Sequence, residues 1–154
     1  MAEPAGAPVT IRPIRAGDEA VVLAAGELFD RPPTAARTAD FLAKPGHHLL
    51  FAFHGDEAVG FASCVEMSHP DKGTELFLYE LGVADHAQRS GIGRRLVDAA
   101  LTLAKDLGCY GAWTITEDDN TAALATYRSA GAEADPTSVT EVWGWRDADG
   151  SPAP

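Results

Sequence analysis

The chain has little that would staple it, anchor it in a membrane or make it basic. Its 2 cysteines, Cys64 and Cys109, are too few for a disulfide framework and lack metal-ligand spacing. Each is flanked by small or apolar residues and reads as a packed side chain. A reducing cytoplasm is the expected setting. No uninterrupted apolar run approaches the roughly 20 residues of a membrane span. The opening Met-Ala-Glu-Pro-Ala-Gly-Ala-Pro has neither the basic start nor the apolar block of a secretory signal. Basic residues are scarce: 12 Lys and Arg stand against 23 Asp and Glu, for a net charge of −11. So acidic a surface repels nucleic acid, whose binding needs a basic face. It suits a cationic partner, although excess acid also serves plain solubility. His47, His48 and His54 fall at strand ends and make no metal triad, so no metal is expected.

What remains is the composition of an ordinary globular domain, 45% hydrophobic over 154 residues, enough for one proper core. The expected domain spans 9–147, between Pro-, Ala- and Gly-rich tails at 1–8 and 148–154. A short strand at 9–12 precedes a helix over 18–29, carried by Val21, Val22, Ala25, Leu28 and Phe29. Pro32-Pro33 ends it, and 34–42 forms a shorter helix. Strands at 48–54 and 58–67 make a hairpin around Gly55-Asp56-Glu57. A strand at 76–83, apolar on both faces, reads as central and covered on each side. The stripe Leu96, Ala100, Leu103 and Leu107 defines a helix over 93–107, ended by Gly108. A buried strand at 112–116 follows, then a helix capped by Asp119 or Asn120 and ending at Ser129. Alternation over 139–145 predicts a last strand. The expected class is α/β (α+β mixed), with a central mixed sheet flanked by helices on both faces. Trp113, Trp143 and Trp145 read as core or interface residues.

The densest signal is the junction at Leu81-Gly82-Val83, followed by Gln88-Arg89-Ser90-Gly91-Ile92-Gly93-Arg94-Arg95. An apolar strand runs into a glycine-rich basic turn that opens a helix. Such a junction gathers backbone N–H groups and a helix N-terminus at one spot, which suits a phosphate-bearing ligand. Arg89, Arg94 and Arg95 place three of the twelve basic residues there. Leu96 stands where a Rossmann fingerprint needs its third glycine, and no Walker A Gly-Lys-Ser/Thr is present.

Gln88-Arg89-Ser90-Gly91-Ile92-Gly93 resembles the signature of the GNAT superfamily of acyl-coenzyme A N-acyltransferases. The spacing Asn120, Leu124, Tyr127, Gly131 resembles that family's downstream helix motif, and the order of elements from Ile11 to Trp145 agrees. Within the superfamily the chain looks most like aminoglycoside 3-N-acetyltransferases of the gentamicin-acetylating type. Leu28-Phe29-Asp30, Leu78-Tyr79-Glu80-Leu81-Gly82-Val83 and Glu117-Asp118-Asp119 carry that likeness. Glu80 stands where that group usually has Asp, Ala132 replaces a common aromatic residue, and the segment after Gly131 is longer.

The resemblance implies acetyl transfer from acetyl-coenzyme A to an amine of an aminoglycoside, at the 3-amino group of its central ring, and a homodimer. Antibiotic resistance is the activity's expected consequence. Amides of residues 89–94 would grip the pyrophosphate, with Gln88, Arg89, Ser90, Gly91, Ile92, Gly93 and Arg94 as the cofactor-binding set. Leu81 and Val83 would join them, the Val83 amide or a neighbour holding the oxyanion. Glu80 is the expected general base, its pKa raised by an apolar strand. Tyr127 is the expected acid, since a phenol keeps its proton at neutral pH. Asn120 is a pantetheine contact, a helix cap, or both. Glu80, Asp118, Asp119 and Glu141 are expected substrate contacts, although capping suffices to explain Asp119. Neither cysteine sits in the signature, which favours direct attack over a covalent enzyme intermediate. Two alternatives stay open: another acceptor (a small amine, a polyamine or a protein N-terminus), or an acyl-CoA sensor without catalysis.

Overall fold

The computed structural model describes residues 7–144. Five strands lie in sequence order across one sheet, β1 Val9–Ile14, β2 His47–His54, β3 Glu57–His69, β4 Gly73–Val83 and β5 Ala112–Trp113. The first four pair antiparallel and β5 joins β4 in parallel, so the expected mixed sheet is present. The helices are α1 Glu19–Ala24, α2 Ala35–Ala43, α3 Ile92–Asp106 and α4 Thr121–Ser129. They divide between the two faces, and each face has its own core.

On one face α3 buries Ile92, Leu96, Val97, Ala100 and Ala104 against Leu50, Ala52, Val59, Ala62, Leu76 and Leu78. Its stripe is rotated from the expected one, and Leu107 stays exposed. Gly108 follows in the left-handed region at φ 75°, with the Cys109 amide returning to the Ala104 carbonyl. On the other face α1 and α2 cover Phe51, Phe53 and Phe61, with the Phe29 and Phe61 ring centroids 4.4 Å apart. The expected helix over 18–29 breaks after Ala24 and gives way to a single tight turn at Gly26–Leu28.

One irregularity sets the site. Ser63 pairs with Glu80 but Cys64 with Leu78, which leaves Tyr79 unopposed as a β-bulge in β4. Before the bulge Leu76 and Leu78 face α3, and after it Leu81 and Val83 do. Glu80 and Gly82 are thereby turned to the α1–α2 face. Strand β4 is accordingly not covered on both faces as expected: Tyr79 is 59% exposed and Glu80 is exposed too.

Gly82 fits closely there. A Cβ on it would lie 2.6 Å from Phe61 Cε1 and 3.3 Å from the Leu28 carbonyl oxygen. Phe61 is held by its tilted ring contact with Phe29 and cannot yield cheaply. Gly82→Ala is expected to lower stability by about 1–3 kcal/mol, as overpacking does. Urea unfolding followed by circular dichroism checks this; an unchanged midpoint would refute it.

Two expected strands are corrected. The 112–116 strand shrinks to Ala112–Trp113, and both residues are exposed. The last strand expected at 139–145 does not form over 139–144, where Val139, Val142 and Trp143 are exposed, and Trp145 lies outside the described residues. A sixth strand needs an edge to pair with, and a two-residue β5 offers almost none. Trp113 stacks on Phe77 with centroids 4.3 Å apart, at the sheet edge and 40% exposed, so neither it nor Trp143 is a core residue. The expected tails at 1–8 and 148–154 fall outside the described residues, apart from positions 7 and 8.

Candidate active site

Strands β4 and β5 are paired only at Leu76–Ala112 and Phe77–Trp113, and then part. The Thr114 hydroxyl takes the place of the next ladder bond by donating to the Leu78 carbonyl at 2.8 Å. The Ala84 amide donates to the Val59 carbonyl on β3. By strand alternation the amides of Leu81 and Val83 turn the other way, into the gap that β5 has left.

A cleft of about 580 Å³ fills that gap. Glu80, Leu81, Asn120 and Tyr127 all line it, so the expected base, acid and part of the expected cofactor contacts share one space. Glu80 is exposed, although its neighbours in sequence are apolar, because the bulge turns it off the α3 face. Its Oε2 accepts a 2.7 Å hydrogen bond from Ser63 Oγ, and Ser63 is itself buried. The Tyr127 phenol is half-buried, and that burial pushes its pKa up, while a hydrogen bond with Thr114 opposes the shift. The phenol therefore stays protonated through neutral pH.

Asn120 is the cap of α4, its Oδ1 accepting from the Ala123 amide at 3.1 Å. Asp119 is not the cap: its backbone carbonyl accepts from Thr121 N–H. Asp118, Asp119 and Glu141 are exposed and do not line this cleft, whereas Glu117, Thr116 and Thr140 do. The loop ahead of α4 thus presents one acid earlier than the expected pair.

The glycine-rich turn forms as an open helix start. Gly91 precedes α3 at φ 80°, Arg89 also has positive φ at 58°, and no side chain caps the helix. The amides of Ile92, Gly93 and Arg94 precede the first intrahelical bond, from Arg95 N–H to the Gly91 carbonyl. Nothing lies within 4 Å of a Cβ built on Gly91, so the approach is clear. Gly93 faces Val83 and Thr126, which seats α4 beside the turn. The arginines are less available than their charge suggests. Arg94 Nε binds both Asp98 oxygens at 2.9 and 3.1 Å, and Arg95 donates to the Val9 carbonyl. Gln88 Nε2 donates to the Val83 carbonyl, and the Ser90 hydroxyl to that of Ala87, so these two brace the turn. What the turn presents is a set of unpaired backbone amides at a helix start, an arrangement that suits an anion.

Sequence reasoning missed a second, larger cleft of about 1140 Å³ on the α1 side, which meets the first at Leu28, Asp30 and Gly82. Glu27, Asp30, Asp56, Glu57 and Asp85 line it, against Arg12 and His86. It also missed Ser63, whose signal was a lone hydroxyl in an apolar strand at the register opposite Glu80. The histidines are not merely solvated: His48 Nε2 lies 2.7 Å from Glu66, and His69 and His86 contact Glu75 and Glu57. Among the described residues no group of three His, Cys, Asp or Glu side chains could hold a metal, and no helix is long and apolar enough to cross a membrane. Cys64 is buried with its thiol pushed up to about 12 by desolvation, an unreactive form at neutral pH.

Comparison with known proteins agrees with this architecture. The chain is 37% identical over 131 residues to the N-alpha-acetyltransferase RimI of Mycobacterium tuberculosis, covering 80% of this chain and 78% of that protein. It is 34% identical over 105 residues to the mycothiol acetyltransferase of Pseudarthrobacter chlorophenolicus, covering 66% of this chain but only 32% of that protein. The chain thus spans about a third of the length of that relative. Among solved structures, an aminoglycoside acetyltransferase from an uncultured soil metagenomic sample, in complex with trehalose, superposes with a TM-score of 0.82 at 18% identity, covering 90% of this chain and 97% of that one. The family described as Acetyltransferase (GNAT) family matches residues 18–132, and the chain belongs to it.

Proposed function

We propose that the protein moves an acetyl group from acetyl-coenzyme A to a primary amine of a small polycationic acceptor, with the 3-amino group of an aminoglycoside as the foremost target. The observation that carries this reading is the acidic cleft that adjoins, at Leu28, Asp30 and Gly82, the cleft lined by Glu80. A polyamine enters as a polycation, and five carboxylates along one groove concentrate it.

The thioester of the bound coenzyme supplies an activated acetyl carbon. The amides of Ile92, Gly93 and Arg94 would hold its diphosphate, and those of Leu81 and Val83 would bond the carbonyl oxygen as negative charge grows on it. Glu80, oriented by Ser63, takes the proton that the ammonium must lose before its lone pair can attack. The C–N bond then forms and the C–S bond breaks. Tyr127 gives its proton to the departing thiolate, whose ordinary pKa of about 8.5 lies below that of a phenol, and the second proton leaving the acylated nitrogen restores the phenol.

A second reading is an amine at the start of a polypeptide, and the 37% identity to RimI favours it. Thiol release from acetyl-coenzyme A, measured over gentamicin, kanamycin, spermidine and a short peptide with a free N-terminus, separates the two. The aminoglycosides are expected to show the highest kcat/KM. Turnover of the peptide alone would replace the first reading with the second.

A further inference from the structure

Thr114 stands where β5 leaves β4. The pairs Leu76–Ala112 and Phe77–Trp113 are the last, and the next carbonyl of β4, that of Leu78, accepts from the Thr114 hydroxyl at 2.8 Å. A carbonyl that loses its ladder partner needs another donor, and Thr114 supplies it. The Thr114 side chain is partly buried and makes a second hydrogen bond, with the phenol of Tyr127 on α4. One hydroxyl thus ties the strand that carries Glu80 to the helix that carries Tyr127, and both of those residues line the same cleft. Among the described residues no other side chain bonds that phenol.

A threonine hydroxyl has one proton to donate and lone pairs with which to accept. While its proton lies on the Leu78 carbonyl, Thr114 accepts from the Tyr127 O–H. Burial pushes the phenol's pKa up, and the bond with Thr114 works against that rise. A hydrogen bond lowers an acid's pKa only where it favours the deprotonated form. Thr114 therefore serves the phenolate best, and to do so it must release Leu78 and donate to Tyr127. Rotation of one hydroxyl separates the two arrangements.

We propose that Thr114 is a positioning residue for the acid, and that its hydroxyl changes partner during the reaction. In the resting site it is held by the Leu78 carbonyl and accepts from Tyr127. As the coenzyme thiolate departs, the phenol turns its proton to the sulfur, and Thr114 donates to the phenolate oxygen left behind. The sulfur gains the proton that the phenol loses, and none leaves Thr114. Once the phenol is restored, the hydroxyl returns to Leu78. The inference rests on the reading of Tyr127 as the acid.

The test compares Thr114→Val, Thr114→Ser, Tyr127→Phe and the double variant Thr114→Val/Tyr127→Phe. Acetyl transfer is measured with the acceptor that turns over fastest. Tyr127 is titrated through the carbon-13 resonance of its Cζ, identified by its loss in Tyr127→Phe. Thr114→Val keeps the shape and removes the hydroxyl. It should lower kcat about 3–10-fold, the worth of one hydrogen bond, and change KM for acetyl-coenzyme A by less than about twofold. Tyr127 should then titrate at higher pH than in the wild type, because a donor to its phenolate has gone. Asp30, Glu80 and Glu117 line the same cleft and are common to both proteins, so they do not produce the difference. Thr114→Ser should restore both readouts. In the Tyr127→Phe background Thr114→Val should cost less than about twofold, since its effect runs through the phenol. An equal loss in both backgrounds, an unmoved titration, or a serine variant no better than the valine one would each overturn the proposal. If no acceptor is acetylated, or Tyr127→Phe is as fast as the wild type, the reading of Tyr127 as the acid falls first and takes this role of Thr114 with it.

Discussion

Glu80→Gln is expected to lower kcat by about 10²–10⁴-fold, the range for removing a general base. Gln keeps the length of the side chain and an oxygen that can accept from Ser63 Oγ, so the geometry around it should hold. What it loses is the capacity to take a proton from the acceptor ammonium. The proposed coenzyme contacts are backbone amides, at the β4 edge and in the open turn before α3, and the substitution alters none of them, so coenzyme A affinity by calorimetry should stay within a factor of two or so. Tyr127→Phe should slow turnover more mildly and leave the same affinity. A sensor without catalysis makes the contrary forecast: tight coenzyme binding, with neither substitution changing anything measurable. Full activity in Glu80→Gln would remove the base from this scheme.

Phe51→Ala is expected to cost about 3–5 kcal/mol of stability, the usual range for deleting a core aromatic ring. Phe51 is completely buried at the middle of β2, a strand paired on both sides. Its ring meets those of Phe29, Phe53 and Phe61 at centroid distances of 6.3, 6.0 and 6.4 Å. No flexible side chain closes over the gap, because three aromatic neighbours are rigid and two of them lie in the sheet. Urea unfolding measures the loss. The folded fraction should retain coenzyme A binding, since the cluster lies across the sheet from α3. A cost below about 1 kcal/mol would mean that the aromatic cluster is looser than its contacts indicate.

The parts of this protein legible in the sequence were those fixed by local pattern. Helix α3, its glycine ending and the hairpin of β2 and β3 follow from periodicity and turn residues close together in the chain. The open turn at Gly91 was legible for the same reason, since a left-handed backbone there leaves its mark as glycine. The bulge at Tyr79 was not, because nothing local distinguishes it. It exists through the pairing of β4 with β3, and without it Glu80 would sit on the other face. The acidic cleft escaped as well: Glu27, Asp56 and Asp85 come from three separate turns and meet only once the sheet has assembled. The alternation at 139–144 misled for the converse reason. Pattern declares that a segment can be a strand, but an available edge decides whether it becomes one.

The division of the core between two faces has a consequence for how the molecule loosens and how it diverges. Helices α1 and α2 have 6 and 9 residues, too short to persist without the sheet beneath them, whereas α3 has 15. Local opening should therefore begin on the α1–α2 side, and amides there should exchange with deuterium before those of α3. On the proposed assignment that is the side facing the acceptor. Lineages can then rewrite what is acetylated by altering a weakly held pair of short helices, while the half that receives the acetyl donor keeps its framework.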